Sequence, residues 1–82
     1  MAFTQSEAKV LGALSVLGDS RDMTVRQISR ATGLPDTSIH RALLRLSRSG
    51  LAVGTPRGTA CWRSTERGRL AIARSVYREY TA

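Results

Sequence analysis

Cysteine, histidine, lysine and aromatic side chains are all scarce in this chain of 82 residues. Cys61 is the one cysteine, so an internal disulfide is excluded and the chain lacks the staples of a small secreted domain. His40 is the one histidine. A structural zinc site takes about four ligands, mostly Cys and His, so no metal and no cofactor are expected. Paired carboxylates, a nucleophile beside a base and a cofactor loop are all missing, and the chain does not read as an enzyme. No apolar run approaches the ~18 residues that span a bilayer, and no charged-then-apolar leader follows Met1. No membrane partner is expected, and the chain reads as cytoplasmic. Its length suits one domain, residues 1–82, with a thin core, because so short a chain buries only about 60% of its unfolded surface.

Positive charge is abundant. Thirteen basic residues face six acidic ones, for a formal net charge of +7, and all of the basic residues but Lys9 are arginine. A polyanion is the partner such a balance favours. The planar guanidinium matches phosphate and guanine better than an ammonium does. A basic surface also serves solubility, and arginine richness also follows from a GC-rich genome. The charge therefore acquires meaning only where a structural element presents it.

The pattern of apolar residues and turn signals orders those elements. Thr4 and Glu7 have the spacing of a capping box, with Phe3 as a hydrophobic staple, and Ala8, Leu11, Leu14 and Leu17 recur at helical spacing. They predict a helix from Gln5 to about Leu17. A second capping pattern, Thr24 and Gln27, opens a short helix from Val25 to about Thr32, with Val25, Ile28 and Ala31 facing inward. Gly33 supplies the left-handed residue that ends it. A third helix runs from about Asp36 to Ser49; Pro35 or Asp36 caps it, Asp36 being the better acceptor. Its buried stripe is Ile39, Ala42, Leu43 and Leu46. The period then changes. Leu51 to Thr55 and Ala60 to Ser64 read as strands around the turn Pro56-Arg57-Gly58-Thr59. A short strand at Met23-Thr24 adds a third edge. Thr65 caps a last helix from Glu66 to about Tyr80. The fold class is α+β, mostly helical: three helices, a hairpin and a C-terminal helix.

The second and third helices, joined at Gly33, form a helix-turn-helix. Ile28 must meet Ile39 and Leu43 across the turn, so the third helix shows solvent its opposite face: Thr37, Ser38, His40, Arg41, Leu44, Arg45 and Arg48. A helix of this kind fits the major groove of double-stranded DNA, where arginine reads guanine. Thr37, Ser38, His40, Arg41, Leu44 and Arg45 are the candidate base readers. Arg26, Arg30, Arg48, Arg63 and Arg67 are candidate backbone contacts, with Arg57 reaching from the hairpin tip. Leu70, Ala73, Tyr77 and Tyr80 share one side of the last helix and form a candidate seam between two copies.

The run Val25-Arg26-Gln27-Ile28-Ser29-Arg30-Ala31-Thr32-Gly33-Leu34, then Thr37-Ser38-Ile39-His40-Arg41-Ala42-Leu43, Leu46 and Gly50-Leu51, resembles winged-helix bacterial transcription regulators of the broad MarR-like set. The segment Trp62-Arg63-Ser64-Thr65-Glu66-Arg67-Gly68-Arg69 is similar to that set's strand-to-helix junction, where an aromatic, a Leu and then Thr-Glu-x-Gly are common. The likeness covers nearly the whole chain. It implies a winged helix-turn-helix fold, DNA binding, and as a rule a homodimer that represses. Ser64 departs from the usual Leu, and the longer terminal helices that build the dimer and ligand pocket of full-length relatives are missing. No small-molecule ligand is expected for that reason. Thr55-Pro56 with Trp62 is also similar to the wing of Z-DNA-binding domains. His40 and Leu44, however, stand where that family has Asn and Tyr, and its Pro-Pro pair is absent.

The plainer readings are a solvated basic face for Arg41, Arg45 and Arg48, a core role for Trp62, and a small strand residue for Cys61. Leu44, apolar among arginines, either meets a thymine methyl or packs on a partner. The alternative function is a winged-helix protein-interaction module in a larger nucleoprotein assembly, since fold alone does not decide function.

Overall fold

The computed structural model describes residues 3–16, 22–55 and 61–75. The order of elements is α1 (Gln5–Val16), β1 (Met23–Thr24), α2 (Val25–Thr32), α3 (Asp36–Arg48), β2 (Ala52–Thr55), β3 (Cys61–Ser64) and α4 (Glu66–Ala73). The architecture is α+β and mostly helical, a winged helix-turn-helix.

Local chemistry starts each helix. At α1 the Thr4 N–H donates to Glu7 Oε1 at 2.9 Å and the Glu7 N–H donates to Thr4 Oγ1 at 3.2 Å. The same reciprocal box joins Thr24 and Gln27 at α2, at 2.8 and 3.2 Å. At α4, Thr65 Oγ1 accepts from the Gly68 N–H at 3.0 Å. Each box satisfies backbone donors that the first helical turn leaves without partners. At α3 the first of the two expected caps is found. Its cap is Pro35, with no side-chain bond, and Asp36 is the first helical residue. Proline's fixed φ suits the extended cap conformation (φ −69°, ψ 154°), which leaves Asp36 to act on the helix dipole.

The core is built by Ala8, Val10, Leu11 and Leu14 of α1, Ile28 of α2, Ile39, Ala42, Leu43 and Leu46 of α3, then Leu51, Ala52 and Ile72. Phe3, Val25, Leu34 and Trp62 pack against it partly buried. Ala31 was expected to face inward and is exposed. α2 is only eight residues long, and Ile28 alone on it is fully enclosed. The three strands form an antiparallel sheet in the order β1-β3-β2. Met23 pairs with Trp62, and Gly54 lies opposite Trp62 on the other side. A Cβ at Gly54 would come within 2.9 Å of the indole ring, so the missing side chain makes room for Trp62. On β2 only Ala52 is buried; Leu51, just before it, carries the inward packing.

The departure at Ser64 now has a structural account. Its side chain is buried, and its hydroxyl donates to the Leu14 carbonyl of α1 at 3.5 Å. Arg69 Nη1 donates to the Ser64 carbonyl at 3.3 Å. A long polar link stands where an apolar side chain would pack. α4 ends at Ala73, earlier than the expected Tyr80, and Ser75 Oγ closes on the Ile72 carbonyl at 2.7 Å. Among the described residues no helix is long and apolar enough to cross a membrane.

Candidate nucleic-acid interface

The turn between α2 and α3 sets the interface. Gly33 adopts φ +75°, and its N–H donates to the Ser29 carbonyl at 2.8 Å. Left-handed backbone is costly for residues with a Cβ. Two hydroxyls fasten the turn: Ser29 Oγ donates to the Leu34 carbonyl at 2.8 Å, and Thr32 Oγ1 donates to the Ile28 carbonyl at 2.8 Å. Leu34 then packs back onto the core. The far end of α3 is closed as firmly. Gly50 has φ +73°, its N–H meets the Ser47 carbonyl, and the Leu51 N–H meets the Leu46 carbonyl at 2.9 Å. These paired bonds form a Schellman motif.

With Ile39, Ala42, Leu43 and Leu46 buried, helical geometry at ~100° per residue fixes what the other side carries. Thr37, Arg41, Leu44 and Arg48 run down the middle of the exposed face, and all four are exposed. Leu44 keeps 51% of its surface in solvent. His40 lies exposed on one flank. Ser38, half-buried, and Arg45 lie on the other flank, nearest α1. There Ser38, Arg41, Ala42 and Arg45 line a groove of about 300 Å³ with Thr4, Ser6 and Glu7. Arg45 Nε lies 3.2 Å from Glu7 Oε2, an ion pair between the two helices. In the sequence Glu7 is marked only as a helix cap. Its partner lies on another helix, and no local pattern announces the pairing.

The remaining candidates are dispersed. Arg26 and Arg30, one turn apart, share a face of α2 and are exposed. Arg63 is exposed on β3 and Arg67 on the first turn of α4. Leu70 and Ala73 are exposed on α4, Leu70 by 47%. Arg57, Tyr77 and Tyr80 lie outside the described residues. Among the described residues no three His, Cys, Asp or Glu side chains gather as a metal site requires.

The junction from α3 to α4 explains the Thr-Glu-x-Gly pattern. Thr65 Oγ1 donates to the Gly50 carbonyl at 2.8 Å, and the Thr65 N–H donates to the Leu51 carbonyl at 3.0 Å. A Cβ on Gly68 would overlap that Leu51 carbonyl oxygen. Thr65 and Gly68 therefore lock α4 directly onto the end of the helix-turn-helix.

Residues 8–56, more than half of the chain, match the IclR helix-turn-helix domain. The chain belongs to this family. The family is one of DNA-binding domains of transcription regulators and not of enzymes, and the fold is similar to that of solved MarR family members. BpsR of Bordetella bronchiseptica, whose DNA binding is regulated by 6-hydroxynicotinic acid, superposes with TM-score 0.80 at 21% identity, over 96% of this chain and 58% of that one. ZitR of Lactococcus lactis, a zinc-responsive MarR family member, gives TM-score 0.73 at 17% identity, over 99% and 57%. The PcaV transcriptional regulator of Streptomyces coelicolor, solved with its natural ligand, gives TM-score 0.69 at 29% identity, over 88% and 51%. The IclR-type chain thus spans a little over half the length of these regulators. No curated protein sequence matches it.

Proposed function

We propose that this IclR-type domain is a sequence-specific reader of double-stranded DNA that represses transcription by occupying its site. The observation that carries the proposal is the stripe Thr37–Arg41–Leu44–Arg48. All four side chains are exposed on the helix whose other side is locked into the core. In this reading residues 36–49 enter the major groove. Thr37, Ser38, His40, Arg41, Leu44 and Arg45 meet base edges. Arg26, Arg30, Arg48, Arg63 and Arg67 hold phosphates and fix register without reading sequence. Arg57 contacts the duplex from the hairpin. Two copies associate through Leu70, Ala73, Tyr77 and Tyr80, and such a dimer works in the cytoplasm, where it meets DNA.

Selection of bound duplexes from a random pool, followed by titration of selected and random duplexes at several salt concentrations, tests the proposal. A recovered consensus with steep salt dependence supports it. A protein that shifts no duplex even at low salt overturns it. That result would favour the protein-interaction reading, which the exposure of Leu44 and Leu70 supports.

A further inference from the structure

The Glu7–Arg45 pair is asymmetric. Glu7 is 7% exposed in the first turn of α1, whereas the Arg45 side chain is 65% exposed on the flank of α3. Both carboxylate oxygens are engaged. Oε1 accepts the Thr4 N–H at 2.9 Å, and Oε2 forms an ion pair with Arg45 at 3.2 Å from Nε. The carboxylate cannot swing away without breaking the cap that starts α1. The ion pair is made at Nε, the innermost nitrogen of the arginine's fork. Among the described residues no hydrogen bond engages Nη1 or Nη2, which leaves their N–H groups for a ligand.

Two physical consequences follow. An exposed arginine ordinarily loses rotamer freedom when it binds a ligand; this one is already tethered to a rigid mount. Its charge is also offset by a carboxylate at contact distance, so it adds little to sequence-blind attraction for a polyanion. A brace between α1 and α3 is the competing role. A pair with one member so exposed contributes little to stability, however, and α1 and α3 already share the buried residues Ala8, Leu11, Ile39, Ala42 and Leu43.

We propose that Glu7 is a positioning residue for recognition. It holds the Arg45 guanidinium at the groove-side edge of α3, with its outer donors aimed at one place on the duplex, and cancels that arginine's contribution to nonspecific binding. The inference rests on the reading of α3 as the DNA-facing helix.

Glu7→Gln is the informative change, because glutamine at this position still serves a capping box while the charge is lost. Affinity for the selected duplex and for random duplex is measured against salt, alongside thermal unfolding. Random-duplex binding should tighten, with its salt slope steeper by about one unit. The ratio of selected to random affinity should fall by about tenfold, of the order of one lost directional contact. In an Arg45→Ala background Glu7→Gln should change neither quantity. Arg45→Lys, which leaves the α1 cap untouched and keeps the charge, should lower the same ratio, and it serves if Glu7→Gln does not fold. A variant pair that alters only the melting temperature, or a Glu7→Gln effect that persists without Arg45, overturns the proposal. Arg41→Ala separates the two levels. If Arg41→Ala changes base preference while Glu7→Gln and Arg45→Lys do not, only the role of Glu7 fails. If Arg41→Ala is also without effect, α3 is not the reading helix.

Discussion

Arg41, Leu44 and Arg48 stand in one stripe, yet the proposed function gives them different tasks according to their positions along α3. Arg41 lies in the first half of the helix, close to the end proposed to enter a groove, and it shows no ion pair among the described residues. Arg41→Ala is expected to cost about 1–3 kcal/mol on the preferred site and to flatten preference at one base pair, as the loss of a bidentate guanine contact does. Arg48 is the last residue of α3, where the backbone rises away. Arg48→Ala should weaken all duplexes alike and reduce the salt slope by roughly one unit. Competition titrations on single-base variants of the selected site distinguish the two. Leu44→Ala is expected to shift preference at a thymine and leave self-association unchanged. If DNA binding survives it untouched, Leu44 belongs to a protein contact instead.

At the scale of elements, two glycines hold the helices in place for different reasons. Gly68 sits where α4 presses against the Leu51 carbonyl, and no side chain can yield there because the obstacle is backbone. Gly68→Ala is expected to destabilise the fold by about 3 kcal/mol, lowering the melting temperature by more than about 10 °C. Gly33 has open space around its Cα, and only its φ of +75° resists substitution. Gly33→Ala should therefore cost less, about 1–2 kcal/mol. Calorimetry of both variants checks the order, and equal costs would show that packing at Gly68 relaxes. The same comparison shows how much of the fold was legible in advance. The three Thr-based helix starts and both helix-ending glycines lie within a few residues of the groups they satisfy, so residue spacing reveals them. The overlap of Gly68 with Leu51 joins separate elements, and spacing alone does not reveal it.

For the molecule as a whole, net charge and association set the behaviour. A dimer that touches ~8 phosphates should show log K falling with log salt at a slope near −7. A slope near zero on duplex DNA would remove electrostatics from the mechanism. Leu70, 47% exposed on α4, is the described residue on which the dimer proposal depends most. Leu70→Asp should convert the dimer to a monomer in sedimentation and weaken binding to a two-fold site whose half-sites lie about 34 Å apart. A wild-type monomer both free and on DNA would end the proposal.

The sequence by itself determined the order of the elements, the chemistry at their ends, and which side of α3 is buried. These depend on periodicity and on hydrogen bonds that reach three or four residues along the chain. Tertiary structure decided the rest. It left Ala31 outside although it shares the helical spacing of Ile28, because the core meets α2 over only part of its length. It buried Ser64 and gave its hydroxyl the Leu14 carbonyl. It made the Glu7 carboxylate, legible only as a cap, the ion-pair partner of an arginine on another helix. A 3.6-residue period specifies a face but not which residues of that face meet a neighbour, and a side chain's second hydrogen bond depends on what the fold brings beside it.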